Sequence, residues 1–392
     1  VGSTVPVSLT WEKSTTYDVG LDLDFFNNRL SVSGDYYRRY TTDMYTASVA
    51  LPAVYGTGSP KGNNAEMKTD GWELSLSWRD SFKLGGKPFD YSIKAMVWDS
   101  KSVITKYVND TGSLGTVKGF IENGGSPSSY YVGMTVGEIW GYTVAGLFRD
   151  QADIDSSAIH DFVQASDKVT RPGQVKIADL DGNGFIDPGN FAVDDHGNLR
   201  IIGNQSPRYR YGVNLSARWN GIGLSVFLQG VGARDWYPGS DAGMFWGKYG
   251  RPFFALIPSI HNYTDDMYSA ERNNWDTAYW PRMTTYQSNG TKNWTRLLEI
   301  PNTRYIQSAA YLRVKNIQLD YSFPKHICSA IRLQGLKIYV NAENLFTFTP
   351  LHKYAPNFDP EGLSYDSDFA SAADGYTYPI LKSVTVGVNI TF

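Results

Sequence analysis

The sequence predicts an all-β chain, part of a large antiparallel transmembrane β-barrel with long extracellular loops. Three observations predict it. Segments of strict two-residue alternation recur along the chain. The connections between them are alternately short and long. The composition is rich in aromatics and glycine, with 27 Tyr, 11 Trp and 38 Gly in 392 residues, yet the mean hydropathy is only −0.34. No apolar run approaches the ~20 residues of a membrane helix. Barrel strands escape that test, because apolar and polar residues cancel within each strand.

Nine strands are expected, in order. In "TYDVGLDLDF", Tyr17, Val19, Leu21, Leu23 and Phe25 oppose Asp18, Gly20, Asp22 and Asp24. "RLSVSGDYYRRY" follows, then "GWELSLSWR", where Trp72, Leu74, Leu76 and Trp78 share a face, and then "FDYSIKAMVW". The next four are "RYRYGVNLSARW", "GLSVFLQGV", "YLRVKNIQLDYSF" and "GLKIYVNAENLF". The last, "YPILKSVTVGVNITF", sets Val384, Val386, Val388, Ile390 and Phe392 against Ser383, Thr385, Gly387, Asn389 and Thr391.

Between these strands lie Phe26–Asn28 (short), 46–65 (long), the "SFKLGGK" turn (short) and 109–207 (very long). Then come "NGI" (short), 237–308 (very long), "PKHICSAIR" (short) and 349–377 (long). Every long connection therefore falls on one edge, the pattern of a membrane barrel with short periplasmic turns and long outer loops. The final strand then runs inward, with Phe392 at the periplasmic rim. Barrels of one chain have even strand numbers, so nine strands imply that further strands lie outside this chain. A soluble sandwich shares the alternation, but these strands outrun its usual ~5–6 residues. Aromatics such as Tyr36, Trp72, Trp78, Tyr211 and Trp219 crowd the strand ends, as interfacial girdles require.

The net charge of −3 shows no nucleic-acid footprint, and the single Cys328 excludes a disulfide framework. His160, His196, His261, His326 and His352 are scattered without a catalytic motif, so no enzyme is expected. Loops should carry function. The 237–308 connection holds Asp241, Trp246, Arg251, Trp275 and Trp280, candidates for ligand or lid contact. Flat rings beside polar groups suit sugars and peptides alike, while a loop of this length also needs rings for its own core.

"DLDGNGFID" places Asp179, Asp181, Asn183, Phe185 (through its carbonyl) and Asp187 at calcium-loop positions 1, 3, 5, 7 and 9. Asn190 stands where a bidentate Glu belongs, Pro188 interrupts, and no helical period flanks the stretch. An EF-hand is excluded. What remains is one structural Ca²⁺ stiffening an outer loop, or a turn driven by Asp, Asn and Gly.

"GNQSPRYRYGVNLSARWNGIGLSVFLQGVGARDW" resembles a signature stretch of the SusC-like TonB-dependent outer-membrane transporters. So do "LTWEKSTTYDVGLDLDFFNNRLSVSGDYYRRYTTDMY", "YVNAENLFTFT" and "YPILKSVTVGVNITF". The resemblance implies that residues 1–392 are the C-terminal portion of a 22-stranded barrel whose plug and earlier strands lie outside this chain. It further implies import of oligosaccharides, or alternatively short peptides, under a SusD-like surface lipoprotein lid. The implied partners are the TonB–ExbB–ExbD system, outer-membrane lipid and a dimer of transporter–lipoprotein pairs. A siderophore or cobalamin receptor and a soluble glycan-binding β-protein are the other readings.

Overall fold

The computed structural model describes residues 9–47, 54, 61–108, 112–114, 130–159, 170–238, 245, 266–282, 301–363 and 380–392. Nine strands form one antiparallel sheet: β1 (Lys13–Phe25), β2 (Leu30–Ala47), β3 (Lys61–Leu84), β4 (Lys87–Lys106), β9 (Arg208–Trp219), β10 (Ile222–Ala233), β13 (Tyr311–Ser322), β14 (Gly335–Phe348) and β15 (Ser383–Thr391). Each pairs with its neighbours in chain order, the nine strands expected from alternation. Smaller strands fill the long connections: β5 (Glu138–Tyr142), β6 (Val144–Leu147), β7 (Val175–Ile177), β8 (Leu199–Asn204), β11 (Asp235–Trp236) and β12 (Gln307–Ser308). Sequence reading did not find these, because strands of two to six residues carry too few repeats. Two short helices, α1 (Gln151–Asp155) and α2 (Lys325–Ala330), complete the elements used below.

The ladder register explains the alternation. Directly opposite residues share a face. One row runs Phe25, Leu30, Trp78, Ile93, Leu215, Val226, Ile317, Ala342, Val384 across the whole sheet. A second row, from β4 onward, runs Tyr91, Ala217, Leu224, Leu319, Val340, Val386. Both are apolar throughout, and many of their members are exposed: Leu224, Leu319, Val340 and Val386 among them. A continuous exposed apolar face is costly in water and requires apolar surroundings. The other face is polar and hydrogen-bonded across strands. Ser92 meets Ser216 at 2.8 Å, Asn316 donates to Asn341 at 2.8 Å, and Ser383 donates to Glu343 at 3.1 Å.

Aromatics mark both borders of the apolar face. At the turn end, Phe82 lies 5.1 Å from Phe89, whose ladder row continues through Trp219 and Ile222 to Tyr321. Asp80, on this face at the same border, pairs with Arg29 at 3.4 Å. At the loop end, Tyr36 stands opposite Trp72. From Trp72 to Phe82 the strand climbs about 33 Å at ~3.3 Å per residue, or about 25 Å of height at a ~40° tilt. That matches the apolar band of an outer-membrane barrel.

The "SFKLGGK" turn is tighter than expected. β3 runs on to Leu84 and β4 resumes at Lys87, leaving Gly85 and Gly86 at φ of 56° and 74°, the left-handed pair of a two-residue hairpin turn. The 46–65 connection likewise shrinks to 48–60, because β2 and β3 keep pairing up to Ala47 and Lys61, beyond the apolar band.

Candidate functional site

The long connections fold together into a layer at one end of the sheet. Tyr142 at the end of β5 donates its N–H to Pro301 O at 2.9 Å and accepts Thr303 N–H at 3.0 Å. Asn204 N–H at the end of β8 donates to Asp235 at 2.9 Å. Arg282 N–H reaches Gly173 O at 2.7 Å. These bonds tie the connection after β4 to the one after β10. The connection after β14 joins through Thr349, which donates to Ala310 O at 2.7 Å, and through Arg234, which donates to Pro360 O at 3.1 Å and to Leu363 O.

The layer owns the hydrophobic core. Trp236, Tyr237, Phe245, Trp280, Tyr305, Leu351 and Phe358 are enclosed in one cluster. Phe245 meets Trp280 edge-on at 5.1 Å, Trp280 stacks on Tyr305 at 5.8 Å, and Trp236 lies 4.8 Å from Phe358. Tyr279 stacks flat on Tyr354 at 3.6 Å. The hydroxyls find partners: Asn302 donates to Tyr237 Oη at 2.8 Å, Gln307 donates to Tyr279 Oη at 2.9 Å, and Tyr305 donates to Tyr279 O at 3.1 Å. Burial pushes the Tyr279 and Tyr305 hydroxyls well above the usual phenol range. Aromatic rings with satisfied tips bury large area while staying oriented.

Of the residues expected at a ligand or lid contact, Trp280 sits inside this core at 1% exposure. Trp275 packs against the core, partly buried. Asp241, Trp246 and Arg251 lie outside the described residues. The geometry thus brings together two of the five, and gives Trp280 a packing role.

Charged anchors that the sequence did not reveal brace the rim of the sheet and fix the layer to it. Arg208 grips Asp99 through two bonds of 2.6 and 2.5 Å, joining β9 to β4 at the mouth of the longest connection. Arg313 on β13, 3% exposed at its side chain, holds Asp359 at 2.7 Å and Glu361 at 3.1 Å. Lys315 adds a bond to Glu361 at 2.8 Å. No local motif announces such pairs, since their partners are distant in sequence. On the polar face, Asp320 lies between Arg218 (3.6 Å) and Lys337 (3.1 Å), beside a cavity of about 680 Å³ that Arg79, Asp90 and Ser92 also line.

The Asp179–Asp187 stretch is a turn held by its own side chains. Asp179 accepts Gly182 N–H at 2.8 Å and Gly184 N–H at 2.9 Å, one on each oxygen. These bonds, that of Gly184 foremost, hold its carboxyl below the usual range. Asp181 accepts Asn183 N–H at 3.2 Å, Asn183 accepts Phe185 N–H at 2.7 Å, and Asp187 accepts Gly189 N–H at 2.7 Å. Among the described residues, no three His, Cys, Asp or Glu side chains gather as a metal site. The side-chain oxygens of Asp179, Asp181, Asn183 and Asp187 are thus engaged by backbone amides of the same turn.

An apolar outer face, a polar inner face and a loop layer at one end define the class: a transmembrane β-barrel of the outer membrane. Comparison makes this specific. The family model "TonB dependent receptor-like, beta-barrel" matches residues 2–194. TonB-dependent receptor P3 of Formosa agariphila is 26% identical over 98% of this chain and 34% of its own length. TonB-dependent receptor SusC of Bacteroides thetaiotaomicron is 24% identical over 98% of this chain and 32% of its own. The chain is similar to the TonB-dependent receptor β-barrels, SusC among them. It spans about a third of the length of these curated relatives. In fold it is similar to the RagAB peptide importer in the closed-closed state, with a TM-score of 0.64 at 20% identity over 98% of this chain and 36% of that one. A second structure, of the RagAB peptide transporter, gives a TM-score of 0.61 at 19% identity, with the same coverages. The relatives are receptors by name, in keeping with a chain expected to carry no catalysis.

Proposed function

We propose that this chain forms the C-terminal wall and outer loop layer of a 22-stranded TonB-dependent importer that brings oligosaccharides across the outer membrane. The observation that carries this reading is the pairing of a lipid-facing apolar band with a polar inner face beneath an extracellular layer. A SusD-like lipoprotein closes over the loop layer, TonB–ExbB–ExbD supplies energy, and two transporter–lipoprotein pairs assemble as a dimer. Kinship to SusC supports the lid. Short peptides are the second reading, favoured by the fold likeness to a peptide importer.

The test compares uptake of labelled oligosaccharides and labelled short peptides by cells with and without the gene. Loss of oligosaccharide uptake on deletion, restored by the gene, is the expected result. Loss of peptide uptake alone selects the second reading, and no change in either overturns import. Mass spectrometry of the detergent-extracted complex checks for the lipoprotein.

A structural Ca²⁺ held by Asp179, Asp181, Asn183, Asp187 and the Phe185 carbonyl is a separate proposal. Their oxygens keep lone pairs beyond those that accept the turn's amides. A melting temperature that rises with calcium and falls with chelator supports it; one indifferent to both removes it.

A further inference from the structure

We propose that the outer face of β2–β4 carries a binding site for a phosphate-bearing lipid headgroup at the extracellular border of the membrane. Two ladder rows define it. Tyr17, Arg38, Asp70 and Lys101 stand directly opposite one another across β1–β4. The next row outward sets Thr15, Tyr40, Lys68 and Val103 in line. Both rows are even steps from Tyr36 and Trp72, so they share the apolar outer face and lie just beyond its upper aromatic border. Tyr17 and Tyr40 pack edge-on at 6.4 Å within them.

The charges do not cancel. Asp70 is one carboxylate among three cations: it pairs with Arg38 at 2.5 Å and with Lys68 at 3.3 Å, and it faces Lys101 in register. Two positive charges remain. Other ion pairs at this end are matched one to one, Lys13 with Asp43 at 2.9 Å and Lys106 with Glu66 at 3.2 Å. At the opposite border Arg29 and Asp80 also match.

Position selects the occupant. A soluble anion needs no aromatic shelf, whereas an amphiphile does: its chains lie along Leu74 and Leu76 while its headgroup meets the cations. Trp and Tyr favour that depth, and cations near a membrane surface attract anionic headgroups. Asp70 accepts from Arg38 Nε and Tyr36 Oη from Nη2, which orients the guanidinium and turns Nη1 toward phosphate oxygens, to which arginine is well matched.

The experiment uses the protein in its full complex, reconstituted in nanodiscs doped with monophosphoryl lipid A or its dephosphorylated counterpart. Native mass spectrometry reads retained lipid for the parent and for Arg38→Gln/Lys68→Gln/Lys101→Gln. Retention should fall roughly fivefold per cation removed, on the order of 100-fold for all three, and should be weak for the dephosphorylated lipid. Heat-modifiable migration shows that the variant barrel is folded, and single substitutions stand in should the triple variant fail to fold. Equal retention by the folded variant overturns the proposal, as does equal retention of dephosphorylated lipid. Full displacement by millimolar inorganic phosphate, which marks a small-anion site, also overturns it. So does a variant that changes only the oligomeric state, which assigns the face to a second copy.

Discussion

In the wall, Leu76, Val340 and Val386 lie open on the outer face, whereas in the loop layer Trp236, Trp280 and Tyr305 are enclosed almost completely. The same apolar chemistry is used in opposite ways. The wall gains from lipid around it and from ladder bonds along it, so it needs side chains of one polarity per face and little mutual fit. The layer stands in water, where apolar rings are stable only against each other. Core fit therefore belongs to the loops, and patterning to the strands.

Perturbing each region by its own rule separates them. The largest effect is expected from Trp280→Ala, which opens a cavity in the layer at a cost of about 3–5 kcal/mol. Limited proteolysis should then cut the loops while heat-modifiable migration of the barrel persists. In the wall, Leu76→Arg should cost about 2–4 kcal/mol near mid-membrane, read as a lower urea midpoint for unfolding in lipid. Leu76→Ala should cost far less than Trp280→Ala, because no packed cavity opens. Third, Asp359→Asn removes one of the two acids holding Arg313. A loss of about 1–3 kcal/mol is expected, seen as faster amide exchange around 355–363.

The smallest effect is pH-dependent. Burial raises the Asp153 carboxyl, but hydrogen bonds from Arg149 N–H (3.0 Å) and Lys176 (2.6 Å) outweigh it and leave it below its ordinary 3.8. Its folded value is depressed, so its stabilisation is present above pH 3.8 and fades as pH falls through the lowered value. Amide protection over α1 and β7 should weaken on acidification in the parent, and Asp153→Asn should flatten that dependence.

These two regions also differ in how far they could be read beforehand. Wall residues obey a two-residue period that survives in any local window, so all nine strands and both faces were legible. Strand ends were not: Lys61–Asp70 loses the apolar alternation above the membrane, yet its backbone keeps its ladder with β2 and β4. In the layer, the need for a core was legible from loop length, but its membership was not. Trp280 is buried because Phe245 and Tyr305 converge on it, and no period encodes that convergence. The Asp179–Asp187 stretch shows the same limit, since one pattern of Asp, Asn and Gly serves a cation or a self-capped turn.

The most direct test of the wall is a spin-label scan along β3 from Trp72 to Phe82 in bilayers, after Cys328→Ala removes this chain's one cysteine. Collision with apolar oxygen should peak at 72, 74, 76 and 78. Collision with a water-soluble nickel chelate should peak at 73, 75 and 77. Equal access of the chelate to both sets would show a strand with water on both faces, and would contradict a membrane wall.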